Sequence, residues 1–261
     1  MQALIDGDLI VYSVGFAVDV RYYEVDSRIF KYKKEAATYC EFHELDKEEI
    51  TLRQFPGSLH MAVKTIDHLL DKIQKGAGCD TRKVYLTGSG NHRDAIAVTH
   101  KYKGNREGTE KPFHYNEIRA YLINVHTAIV VDGMEADDAL GLAQTEGTVI
   151  CSKDKDLNTI PGKHYNWDKY DDGVCTITAD EASIYYYEQV LTGDVTDNII
   201  GLKGVGPKTA SKMLANCSTA MERHQVCKRE YELRLTFDRL IENMRLLSIL
   251  GGNHLDILEE T

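Results

Sequence analysis

No apolar run in this 261-residue chain approaches the roughly 18 residues needed to cross a bilayer, and Asp6 and Asp8 interrupt the opening stretch where a secretory signal places its apolar core. A cytoplasmic protein is expected. The six cysteines (Cys40, Cys79, Cys151, Cys175, Cys217, Cys227) form no C-x-x-C pair, which argues against a zinc site built from them and fits thiols in a reducing compartment. No G-x-x-x-x-G-K-[ST] loop occurs, so nucleotide hydrolysis at a Walker site is disfavoured. Basic charge is also short: 31 Lys and Arg against 41 Asp and Glu give −10, which argues against a nonspecific basic nucleic-acid binder. There is neither an internal repeat nor a low-complexity segment. What remains is a chain with 43% hydrophobic residues, ordinary for a globular protein and long enough for one large or two modest domains.

The charge is unevenly placed. From Arg82 to Lys111 seven basic residues face three acids, a local +4, whereas from Val130 to Ile160 seven acids face Lys153 and Lys155, a local −5. An acidic centre beside a basic arm has to be explained.

The pattern predicts a strand over Gln2 to Ile5, a hairpin around Asp26-Ser27, a helix from Lys34 to Glu44, and a helix carrying Leu59, Ala62, Val63, Ile66, Leu69, Leu70 and Ile73, capped by Ser58 and ended by Gly76. A strand follows at Lys83 to Leu86. Residues 88 to 115 are polar, basic and too long for an ordinary connection, which marks them as functional or mobile. Beyond them strands at Thr127 to Val131, Thr148 to Cys151, His164 to Trp167 and Val174 to Ile177 alternate with helices at Asn116 to Val125 and Glu135 to Thr145. That alternation implies α/β architecture with a largely parallel sheet. Thr178 and Glu181 open another helix as a capping-box pair. The remainder is helical, with Leu233, Phe237, Leu240, Ile241, Met244 and Leu247 as one stripe.

In this reading Asp6, the group Glu135, Asp137 and Asp138, and the pair Asp154 and Asp156 all lie just beyond strand C-termini, the edge where open α/β sheets form their crevices. Two like charges about 4 Å apart repel by about 4 kcal/mol at an effective dielectric of 20, so something cationic must sit among them. All-oxygen donors suit hard divalent ions, Mg²⁺ or Mn²⁺, and a crowd this large suits two. A metal pair hydrolyses phosphodiesters, which points to a nucleic-acid backbone as substrate. Taken singly, each piece has a plainer reading, as helix-dipole acids or turn residues; convergence favours the site. Residues 193 to 210 (G-D-V-T-D-N-I-I-G-L-K-G-V-G-P-K-T-A) join glycine turns to Lys203, Lys208 and Lys212, a combination able to track a duplex backbone. Arg93, Lys101, Tyr102, Lys103 and Arg106 combine cations with a ring that offers a stacking face.

Asp6-Gly7, Y-K-G-N-R (Tyr102 to Arg106), E-A-D-D (Glu135 to Asp138), S-K-D-K-D (Ser152 to Asp156) and the 193 to 210 segment together resemble, in order, the flap endonuclease/5′→3′ exonuclease family, and its bacteriophage branch most. The resemblance implies a PIN-like 5′-nuclease catalytic domain over 1–190 with a helical arch at about 88–120, and a helical DNA-binding subdomain over 191–261 with a helix-three-turn-helix at about 193–215. It implies two Mg²⁺ or Mn²⁺ ions, one held by Asp6, Glu135, Asp137 and Asp138 and the other by Asp154, Asp156, Asp194 and Asp197, with K⁺ at the helix-three-turn-helix. By the same resemblance Arg93 and Lys103 contact the scissile phosphate, Tyr102 stacks on a terminal base, Arg106 belongs to the arch, and Lys203, Gly204, Gly206, Lys208 and Thr209 bind the duplex. The implied partners are duplex DNA with a 5′ end, nick, gap or flap, an RNA/DNA hybrid, and replication proteins; a monomer in the host cytoplasm, off the membrane, is implied. Thr87 stands where relatives commonly carry a metal-ligating Asp. The competing readings are a PIN-type ribonuclease, which does not need the glycine segment, and a structure-specific DNA-binding protein with a weakened metal site.

Overall fold

The chain is described by a computed structural model covering residues 1–106 and 108–252. It opens with β1 (Gln2–Asp6), in which Ala3, Leu4 and Ile5 are all buried, as befits a central strand covered on both faces. Helix α1 (Gly7–Val18) starts at once. A Cβ at Gly7 would lie 2.5 Å from the Tyr85 carbonyl oxygen, so glycine permits that sharp exit. Then come β2 (Val20–Val25), β3 (Arg28–Phe30), α2 (Lys33–His43), β4 (Thr51–Phe55), α3 (Leu59–Gly76), β5 (Thr81–Thr87), the four-residue α4 (Arg93–Ile96) and α5 (Tyr115–His126). The chain continues through β6 (Ile129–Val131), α6 (Ala136–Ala143), β7 (Thr148–Cys151), β8 (Gly162–Tyr165), β9 (Val174–Ile177), α7 (Ala179–Thr192), the short β10 (Gly193–Asp194) and β11 (Ile199–Ile200), α8 (Pro207–Leu214), α9 (Ala220–Arg234) and α10 (Phe237–Leu247).

Contacts gather into two compact units. One comprises Met1–Leu9, Leu70–Thr109 and the chain from Leu122 on. Its sheet has the order β6-β5-β1-β7-β8-β9. Every pairing is parallel except β8 with β9, so the strand predicted at Val174 to Ile177 returns antiparallel at one edge. Leu4, Tyr85, Ala139, Leu140 and Ile150 form the core beneath the strand ends. A second cluster packs Tyr186, Tyr187, Val190, Tyr231, Leu240 and Met244 between helices. The α/β expectation is borne out.

The other unit comprises Ile10–Leu69 and Glu110–Tyr121. The predicted hairpin is present: Asp26 and Ser27 both take positive φ, as a tight hairpin turn requires, and β2 pairs antiparallel with β3 and β4. Val25, Ala36 and Cys40 join this sheet to α2.

Several details differ from the sequence reading. Ser58 caps α3 as expected, its Oγ accepting the Met61 N–H at 3.3 Å, and the helix ends at Gly76 as expected, with Gly78 two residues on as the left-handed residue that turns the chain. Where the helical arch is expected, the described residues between β5 and α5 form α4 and one 3₁₀ turn at Gly104–Arg106. The apolar stripe is confined to α10, because the helix breaks at Leu235 and Leu233 is 73% exposed.

Candidate active site

Because β1, β6 and β7 run parallel, their C-termini share one edge, and the predicted carboxylates do follow it. Asp6 closes β1, only 3% exposed. Its Oδ1 accepts the Leu9 N–H at 3.1 Å and its Oδ2 the Ser152 hydroxyl at 2.9 Å. Burial, with the charges of Asp8 and Asp154 added, pushes its carboxyl up to about 7. The S-K-D-K-D run folds back on the same hydroxyl: Asp154 donates its N–H to Ser152 Oγ at 3.0 Å, and Asp154 Oδ1 accepts the Asp156 N–H at 2.9 Å. Burial and the neighbouring Asp154 and Asp194 push Asp156 up to about 7 as well. Asp137 is raised well above the carboxylate range by desolvation and by Asp6, Asp154 and Glu135. These groups crowd one another, and the causes acting on Asp6 include no cation.

A second set of acids has partners. Asp138 is fully buried and forms a two-pronged ion pair with Arg93, Nη1 to Oδ2 at 2.6 Å and Nη2 to Oδ1 at 2.8 Å. Against the cost of burial, that guanidinium and the N–H groups of Leu250 and Glu135 hold its carboxyl below the usual range. Glu135 receives the Lys103 ammonium and the Tyr102 hydroxyl. Asp197 receives the same hydroxyl at 2.8 Å and Arg106 Nη2 at 2.6 Å. Burial still raises Asp197, opposed by Lys103, Tyr102 and Arg106. The space left among Arg93, Tyr102, Glu135, Asp137, Asp156 and Asp197 is about 30 Å³, enough to admit water.

The geometry gives three of the predicted site residues partners within the chain. Arg93 lines the cleft but is 2% exposed, and its N–H groups donate to Asp138 and to the carbonyls of Leu246 and Ser248. Asp138, saturated by Arg93 and two backbone donors, has no lone pair left for a metal. The Tyr102 ring is 6% exposed within the helical cluster, closed to base stacking. Asp194 accepts the Thr196 N–H at 2.7 Å and lines the same cleft. Lys203, Lys208 and Thr209 are exposed, Gly204 is left-handed at φ +77°, and Gly206 caps α8 with Pro207 at its first position, as the glycine segment predicted.

Sequence reasoning missed Gln189, whose amide donates to Asp156 Oδ1 at 2.6 Å; nothing in a helical Gln announces such a role. It also passed over Asp8, although the D-G-D spacing was a visible signal. Thr87 has its own work: its N–H donates to Asp8 Oδ2 at 3.1 Å and its Oγ1 accepts the Ala136 N–H at 2.9 Å, satisfying the first turn of α6.

No family model matches the chain. It is 31% identical to the exonuclease of Escherichia phage T7 over 140 residues, 50% of this chain and 46% of that protein. It is 31% identical to the exodeoxyribonuclease of Enterobacteria phage T3 over 130 residues, 46% of this chain and 42% of that one. The matched stretch thus spans less than half of either relative. The flap endonuclease of bacteriophage T5, solved as a pseudo-enzyme–product complex with DNA and metal ions, superposes with a TM-score of 0.55 at 16% identity, over 99% of this chain and 95% of that one. The fold is that of a phage 5′-nuclease. The resemblance read from the motifs is borne out, and with it the PIN-like core.

Among the described residues no three His, Cys, Asp or Glu side chains are drawn into a ready coordination shell. Mutual repulsion accounts for this, since carboxylates converge only around a cation. The donors nevertheless fit hard divalent ions: all are oxygens, and burial together with the charge of Asp154 raises the affinity of Asp6, Asp137 and Asp156 for protons, which a divalent cation would displace.

Proposed function

We propose that this protein is a metal-dependent 5′-nuclease that hydrolyses phosphodiester bonds at 5′ ends of duplex DNA, as exonuclease, flap endonuclease or both. The observation that carries the reading is the crowd of carboxyls at one sheet edge, of which Asp6 and Asp156 are pushed to about 7. Asp6, Glu135, Asp137 and Asp154 would hold one Mg²⁺ or Mn²⁺, and Asp154, Asp156, Asp194 and Asp197 the other. When bound, such a pair activates water and stabilises both the entering and the departing oxygen.

The remaining steps belong to the chain's own residues. Lys103 and Arg106 now neutralise Glu135 and Asp197. With Glu135 and Asp197 holding a divalent ion, these two cations would be left to meet the phosphate, Lys103 nearest the scissile bond. Gln189 keeps Asp156 aimed into the cleft. The amides at the start of α8, with Lys203 and Lys208, engage the duplex backbone without reading sequence. K⁺ at the carbonyls of the glycine turn would strengthen that grip. The substrates we propose are nicked, gapped or flapped DNA, with RNA/DNA hybrid as a further one.

A 5′-labelled duplex incubated with Mg²⁺ or with EDTA tests this. Short 5′-phosphorylated products only with Mg²⁺ are expected; equal degradation in both, or none in either, overturns the proposal. An RNA hairpin cleaved in preference to nicked DNA would favour the ribonuclease reading instead.

A further inference from the structure

Arg93 enters the site by an unexpected route. Its guanidinium is buried and makes four hydrogen bonds: Nε donates to the Leu246 carbonyl at 2.9 Å, Nη2 to the Ser248 carbonyl at 2.5 Å, and Nη1 and Nη2 to Asp138, with Nη1 also 3.7 Å from Glu135 Oε2. Asp138 in turn accepts the Leu250 N–H at 3.1 Å on Oδ1 and the Glu135 N–H at 3.1 Å on Oδ2. One ion pair therefore ties together α4 at the foot of the basic arm, the N-terminus of α6 that carries Glu135, and the chain just past α10. The last contact is close: a Cβ at Gly141 of α6 would lie 2.1 Å from the Leu250 oxygen. Leu246, Leu247 and Ile249 from that terminal segment line the acidic cleft, although its sequence carries no recognisable motif.

Glu135 is the acid on which Lys103 and Tyr102 converge. Its backbone is fixed by Asp138, and Asp138 is fixed by Arg93. We propose that Arg93 is a positioning residue, acting through Asp138 to set Glu135 and the wall formed by residues 246–250, and that it makes no contact with DNA. The inference rests on the nuclease reading for the purpose of Glu135, but it assigns Arg93 and the terminal segment a role that the motif resemblance does not give them.

The three possible roles of Arg93 have different signatures. Loss of a phosphate contact lowers the slope of log affinity against log salt by about 0.9. Loss of a residue behind a metal ligand weakens metal binding by about 10–100-fold. A residue that merely stabilises the fold changes neither in the folded protein. The experiment uses Asp138→Asn, which keeps the shape of the carboxylate, and the paired Arg93→Met/Asp138→Leu, which removes both buried charges together and so avoids stranding one. Each variant is titrated with Mn²⁺ alone below its melting temperature, and its affinity for a 5′-overhang duplex in Ca²⁺ is followed over a range of salt.

Mn²⁺ affinity reduced at least tenfold with an unchanged salt slope is expected. Mn²⁺ affinity within twofold of the parent protein overturns the positioning role, and for the paired variant a salt slope lower by about one restores Arg93 to the phosphate. If the parent protein itself binds no Mn²⁺, the nuclease reading fails, and this proposal with it, before any variant is compared.

Discussion

Two sets of acids at the same sheet edge share a chemistry and differ in company. Asp138, Glu135 and Asp197 are met by Arg93, Lys103, Tyr102 and Arg106. Asp6, Asp137 and Asp154 meet mainly one another, and burial and repulsion lift Asp6 and Asp137 out of the normal carboxylate range. Where the chain supplies its own cation, a carboxylate can hold structure or gate the site; where it supplies none, charge has to come from outside. Asp138 holds structure through its buried partner, whereas Glu135 and Asp197, though paired with Lys103 and Arg106, remain among the acids proposed to hold metal.

Substitutions that exchange or remove partners should pull the two sets apart. The largest effect is expected for Asp138→Ala, which strands the buried Arg93 guanidinium and should lower stability by about 3–5 kcal/mol in urea unfolding. In the same assay with EDTA, Asp137→Asn should leave stability equal or raised, because it removes a repelling charge. Equal losses in both variants would erase the distinction. Asp154→Ala should next reduce single-turnover cleavage about 10²–10³-fold while duplex binding is retained or strengthened. A parallel loss of binding would place Asp154 in the fold rather than in the chemistry.

A smaller effect follows from protonation. Asp6 and Asp156 titrate near 7 in the folded chain and near 3.9 when unfolded, so between about pH 4 and 7 the folded state holds more protons. Stability of the metal-free protein should therefore be greatest below about pH 4 from these groups and be lost as pH rises through 7, and saturating Mn²⁺ should cancel the decline. Thermal melts across that range with EDTA and with Mn²⁺ test it; a metal-free curve that rises with pH would reverse the sign. The smallest expected effect is on the glycine segment, where Lys203→Ala or Lys208→Ala should each reduce the salt slope of duplex binding by about 0.9 without altering Mn²⁺ affinity.

Much of this was legible in the sequence, for identifiable reasons. Asp6, Asp154 and Asp156 were visible because strand ends are marked by short apolar runs, and parallel pairing then forces those ends together. The glycine segment was visible because left-handed Gly204 and the Pro207 start of α8 leave composition signatures. The partners of Arg93 and Asp138 were not legible, because a motif shows residue type but not partner: the guanidinium donates to carbonyls 153 and 155 residues away. The burial of Tyr102 was hidden for the same reason, its ring being enclosed by helices far along the chain. Gln189 left no signal at all, since one amide on a helix looks like any solvated residue.

Calorimetric titration of Mn²⁺ into the metal-free protein at pH 6 and pH 8, with Asp154→Ala alongside, bears most directly on the idea that the acids without an ion-pair partner take up external charge. Binding of about two ions per chain is expected, tighter at pH 8, with protons released at pH 6 and at least one site lost in the variant. Absence of saturable binding, or binding that neither pH nor Asp154→Ala alters, would contradict it.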